Sequence, residues 1–198
     1  MSENIEEKTT KAFKVDLDNK SNQRILKPST CPFNNQDHQV NEVAKKIYEL
    51  IKNAKHSNDD IVLNHIKIKE AFFSPFKPQL KSAQVFLSHS HADKNKALKV
   101  KNYLESETDH GVFVDSLFWD YKDGVLNKLA KYDDDTSKIE DAFMLILRES
   151  LEDMIKKCPY FVFLESNNSV SNNITNLLRR FKPISLNGLC NEIFSTLL

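Results

Sequence analysis

Two short apolar runs bracket one amphipathic stretch, and that spacing restricts the fold more than any other feature. Gln84-Val85-Phe86-Leu87-Ser88 and Val112-Phe113-Val114-Asp115 each have the length and composition of a buried strand. Between them, Asp93 to Glu107 sets Ala97, Leu98, Val100, Tyr103 and Leu104 on one side of a helix. Strand, helix and strand at this distance form a βαβ unit, with parallel strands and a right-handed crossover. Tyr160-Phe161-Val162-Phe163-Leu164 reads as a third strand. The helix before it, 142–157, carries Phe143, Ile146, Leu147, Leu151, Met154 and Ile155 at helical spacing. The alternation predicts an α/β fold with a parallel sheet over residues 83–198.

The flanks are less regular. Residues 1–35 are rich in Lys, Asn, Asp, Ser and Glu and read as a flexible tail. Residues 36–80 read as a helical N-terminal extension. Val40, Val43, Ala44, Ile47, Leu50 and Ile51 define its first helix behind Asp37 as N-cap, and a second runs over about 60–72 before Pro75 and Pro78. Within the main domain, 120–131 predicts a short helix, 131–140 a charged insert, 167–173 a loop and 174–180 a further helix. Phe181 to Leu186, around Pro183, predicts a fourth strand at a sheet edge, where proline is tolerated. Residues 188–198 close the chain as a helix.

Composition removes whole classes of chemistry. The chain has three glycines, too few for a Walker A loop or a G-x-G-x-x-G dinucleotide loop, which need several at fixed offsets. Lys plus Arg equals Asp plus Glu at 28, so no chain-wide basic footprint for nucleic acid exists. No apolar stretch approaches a membrane span, and the polar start of the chain lacks a signal-peptide core, so a cytoplasmic location without membrane contact is expected. Cys31, Cys158 and Cys190 are far apart and form no C-x-x-C pair, which signals neither zinc nor a disulfide framework.

Two polar segments follow strands, at the edge where open α/β sheets bind ligands. Ser88-His89-Ser90-His91-Ala92-Asp93 offers two imidazoles and a carboxylate. The pattern partly resembles the zinc site of metallo-β-lactamase-like hydrolases through His89, His91 and Asp93, but Lys94 stands where a further His is required, and a cation beside a dication is electrostatically wrong. The simpler reading is a polar loop with Asp93 as a helix cap. Asp115-Ser116-Leu117-Phe118-Trp119-Asp120-Tyr121 reads as a loop carrying the one Trp, with Phe118 and Trp119 able to stack on a base or pack locally.

The ordered set VFLSHSHADKNKALKVKNYLE (85–105), GVFVDSLFWDY (111–121), SLEDMIKKCPYFVFLESNNSV (150–170) and FKPISL (181–186) resembles a TIR (Toll/interleukin-1 receptor) domain of the bacterial kind. The resemblance covers residues 83–190, roughly half of the chain. It implies a flavodoxin-like parallel sheet, here lacking the last strand, since about 33 residues follow the third. It implies one of two functions in bacterial signalling and anti-phage defence. One is hydrolysis of NAD, as substrate, at the nicotinamide–ribose bond. The other is catalytically silent self-association with other TIR domains; the enzymes too work as homo-oligomers. In the enzymes a Glu on the helix before the third strand stabilises positive charge on the ribose. Ungapped counting places Arg148 there and Glu149 next to it, so Glu149 is the catalytic candidate, with Glu140 and Glu152 behind it. Ser88, His89, Phe118 and Trp119 are the expected pocket residues, with no resident cofactor and no metal.

Overall fold

A computed structural model describes residues 10–26, 37–54, 60–132, 137–169 and 180–195. The chain divides into two compact units. One comprises residues 1–30, 82–116 and 152–198, and the other residues 31–81 and 117–151.

The first unit is built on five parallel strands in a flavodoxin-like α/β arrangement. They are β1 (Lys11–Asp16), β2 (Ala83–His89), β3 (Gly111–Val114), β4 (Tyr160–Glu165) and β5 (Lys182–Pro183), in the spatial order β3-β2-β4-β1-β5. β2 and β4 lie inside the sheet and carry buried apolar residues on both faces: Val85, Phe86, Leu87, Val162, Phe163 and Leu164. Phe86 stacks on Phe161 and lies against Phe113 across the register, each at 5.6 Å between ring centroids. The row continues to Phe181, 5.6 Å from Phe161, with Ala12 of β1 paired to Phe161. α5 (Lys94–Thr108) joins β2 to β3, and α8 (Leu186–Ser195) buries Leu186, Leu189, Cys190 and Ile193. Gly111 opens β3 where a Cβ would stand 2.7 Å from the Ser82 carbonyl oxygen, so only glycine fits that approach.

This sheet corrects two expectations. Residues 11–25 are not tail: they form β1 and the short helix α1 (Lys20–Ile25). β1 pairs with β4 over six residues, from Lys11 with Tyr160 to Asp16 with Glu165. The sheet therefore does not lack a strand, because β1 takes the place between β4 and β5. Phe13 and Val15, with Leu17 just beyond the strand, are buried, whereas Ala12 and Lys14 are only half-buried. One face of β1 is thinly covered, so lysine is tolerated there and the segment does not read as an apolar run. The helix expected over 174–180 lies almost wholly outside the described residues.

The second unit is helical. It holds α2 (Asp37–Ala54), α3 (Asp60–Phe73), most of α4 (Lys77–Ser82), and the larger parts of α6 (Ser116–Leu129) and α7 (Ser137–Lys157). Val40, Val43, Ala44 and Ile47 are buried, as their spacing requires. Phe72 of α3 meets Phe73, Tyr121 and Phe143 edge-on at 5.1 Å, and Phe76 meets Tyr121 at 5.0 Å. The helical region is thus not confined to an extension over 36–80. Residues 117–151, expected to belong with the sheet, group with it. The aromatic segment 115–121 is also not a loop, since α6 begins at Ser116.

Candidate functional site

In the sheet, β2 leads through α5 to β3 on one side, and β4 leads to β5 on the other. The two departures diverge from neighbouring strands, the strand-order reversal at which open α/β sheets bind ligands. The carboxyl ends of β2, β3 and β4 meet there.

Asp93 lies at this edge, between β2 and α5. It stands at the N-cap position of α5 but makes no side-chain cap. Its carboxylate, 0 % exposed, instead accepts hydrogen bonds from the Ser166 hydroxyl and from Asn168 Nδ2 at 3.0 Å, and pairs with Lys96 Nζ at 3.2 Å. Lys96 also reaches Asp18 at 3.1 Å, and Asp18 accepts the Asn167 amide at 2.8 Å. Burial pushes the Asp93 carboxyl up, but the bonds from Ser166, Asn168 and Lys96 outweigh it and hold the group below the ordinary carboxylate value. Asp93 is therefore a structural anion that ties the loops after β1, β2 and β4 together.

A different arrangement lies between β2 and β3. Ser88 Oγ donates to Asp115 Oδ2 at 3.0 Å, directly after β3. The His89 side chain is 1 % exposed, with Nε2 3.4 Å from Asp115 Oδ1. Its Nδ1 lies 2.6 Å from the Ser90 carbonyl oxygen, which can only accept, so Nδ1 carries a proton. Burial raises the Asp115 carboxyl, opposed by the His89 ring and the Ser88 hydroxyl. His89 Nε2, Asp115 Oδ1 and Ser116 Oγ are buried and lack hydrogen-bond partners among the described residues. Buried polar atoms in that condition are uncommon in folded proteins.

The sheet edge also carries a cavity of about 300 Å³, lined by Lys14, Asp16, Asn19, Asn22, Glu165, Pro183, Ile184 and Ser185. Its polar groups are largely committed. Lys14 pairs with Glu165 at 3.2 Å, and Asn22 bridges the Asp16 carbonyl and the Leu186 amide.

The structure thus brings the expected Ser88 and His89 together around Asp115. Of the other expected residues, Phe118, Trp119, Glu140 and Glu149 belong to the helical unit, whereas Glu152 belongs to the sheet unit. Trp119 is half-buried on α6, with Lys122 Nζ 5.8 Å from its ring centroid. Phe118 is in α6, but its side chain is outside the described residues. Glu149 on α7 is 46 % exposed and 3.6 Å from Lys69 Nζ. Asp141 and Glu152 are exposed, and the side chain of Glu140 is outside the described residues. His89, His91 and Asp93 do not converge: His91 is exposed, and no group of three potential metal ligands occurs among the described residues. Sequence reasoning passed over Asp115, although an acid immediately after a buried strand, at the ligand edge of a parallel sheet, is itself a signal.

Among the described residues no helix is long and apolar enough to cross a membrane. Compared with known protein families, curated proteins and solved structures, the chain matches none.

Proposed function

We propose that the sheet unit is a TIR-like domain that takes NAD at its carboxyl edge and hydrolyses the nicotinamide–ribose bond, as a signalling step of bacterial anti-phage defence in the cytoplasm. The observation that carries this reading is the largely buried Ser88–Asp115–His89 group, in which Ser88 bonds the Asp115 carboxylate and His89 stands 3.4 Å from its other oxygen, at the edge where parallel sheets take ligands. The four TIR-like segments and the flavodoxin-like sheet support it. In the reaction the C1′–N bond breaks, and the cationic nicotinamide leaves with the bonding pair as a neutral molecule. Water adds to C1′ and gives up a proton. The developing charge on the ribose calls for a fixed carboxylate in a water-poor place. The test is nicotinamide release from NAD by the purified chain at high protein concentration, wild type against Glu149→Gln. Release by the wild type supports the enzyme. No release at any concentration refutes it.

A second reading, a catalytically silent TIR adaptor acting by self-association, is favoured by one observation. Glu149, the family-based candidate, is exposed and ion-paired with Lys69. Concentration-dependent assembly without nicotinamide release is the outcome that selects it.

A further inference from the structure

We propose that Lys101 and Glu105 of α5 act together as a substitute strand that closes the β3 edge of the sheet to strand addition by a second copy of this chain. The closure is independent of what the sheet unit binds. A strand at the margin of a sheet carries a row of N–H and C=O groups with which another chain can pair. β3 is such a strand: among the described residues, none lies beyond it. The Asp115 N–H donates to the Leu87 carbonyl at 3.2 Å, back toward β2. Backbone groups alternate in direction along a strand, so those of Val112 and Val114 turn outward.

Val112, the first of these outward positions, is met on both its groups. Its N–H donates to Glu105 Oε1 at 3.0 Å, and its C=O accepts from Lys101 Nζ at 3.0 Å. The two side chains also pair with each other, one turn apart on α5. One acceptor and one donor thus stand where a neighbouring strand would place its own. Helix support is the weaker explanation of the pair, because Lys ahead of Glu is the poorer order at this spacing. Both side chains are also largely drawn in from solvent, at 19 % and 35 % exposed. The far edge is closed by other means. Ile184 donates its N–H to the Lys14 carbonyl at 3.0 Å, so the backbone of Pro183 turns outward, and proline has no N–H to offer. With both margins shut, assembly of the sheet unit is left to its faces.

The experiment compares full-length wild type, the double variant Lys101→Ala/Glu105→Ala and Glu105→Gln. Hydrogen exchange of the Val112 amide and light scattering are read at low and high protein concentration. Alanine keeps the helix and removes both partners. In dilute solution the double variant is expected to exchange the Val112 amide at least about tenfold faster than wild type, the worth of one hydrogen bond to a charged group. It is expected to assemble at a concentration at least about tenfold below that of wild type, with the Val112 amide protected again in the assembly. Glu105→Gln keeps an acceptor for that amide and is expected to match wild type in both measurements. Circular dichroism melts establish that the variants fold, and if the double variant does not, Glu105→Ala alone carries the comparison. A folded variant lacking the acceptor overturns the proposal if its Val112 amide exchanges within about threefold of wild type. So does one that assembles no more readily than wild type, or that assembles while Val112 still exchanges fast. Glu105→Gln behaving like the double variant shows that the pair acts by charge alone, and the proposal fails.

Discussion

Replacing Asp93 by Ala removes a fully buried anion from three partners at once. The Ser166 and Asn168 bonds are shielded and made to a charged acceptor, a class worth about 1.5–3 kcal/mol each. The Lys96 pair is discounted, because that side chain is 41 % exposed and exposed ion pairs contribute about 0–1 kcal/mol. The expected cost is about 3–5 kcal/mol, confined to the sheet unit. Amide hydrogen exchange of β2 and β4 reads it without interference from the helical unit, which contains the one Trp. The pH dependence has a definite sign. The folded carboxyl titrates below its ordinary value of 3.8, so its contribution is complete above that value. It is lost as pH falls through the lower folded value, and the gap between wild type and variant closes only in strong acid. A loss under about 1 kcal/mol, or a gap that closes near neutrality, refutes the assignment of Asp93 as a structural anion.

Other outcomes follow from the same coordinates. Gly111→Ala forces a Cβ against the Ser82 carbonyl and is expected to cost about 1–3 kcal/mol in urea denaturation followed by circular dichroism. Val15→Ala is expected to lose about 2 kcal/mol and to speed exchange of the paired β4 amides, which a flexible tail would not do. Cys158 is buried and its thiol is pushed up to about 11 by that burial, so alkylation at pH 8 read by mass spectrometry is expected to spare it until the sheet unfolds.

The sheet was legible where strands are covered on both faces. β2, β3 and β4 read as apolar runs because their central positions are buried, with polar residues only at half-buried positions, most of them at the strand ends, and α5 followed from its spacing. β1 was not legible because Lys11, Lys14 and Asp16 interrupt it. Lys14 and Asp16 are tolerated because their face is half-open and Glu165 pairs with Lys14, and Lys11 because it stands exposed at the start of the strand. β5 is two exposed residues, Lys182 and Pro183, and only the proline at a sheet edge announced it. Asp93 illustrates a local rule overridden by long-range contact: an acid before a helix reads as a cap, yet its partners lie more than seventy residues away, at Ser166 and Asn168. Asp115 was written in the sequence beside Ser88 and His89 in type but not in place. Only the parallel pairing of β2 with β3 makes them neighbours.

The most direct measurement is chemical-shift mapping of NAD on the isotope-labelled full chain. The account expects the largest shifts at Ser88, His89, Asp115 and Ser116. Shifts confined to the cavity between Lys14 and Ser185, or no shifts at millimolar NAD, would contradict it.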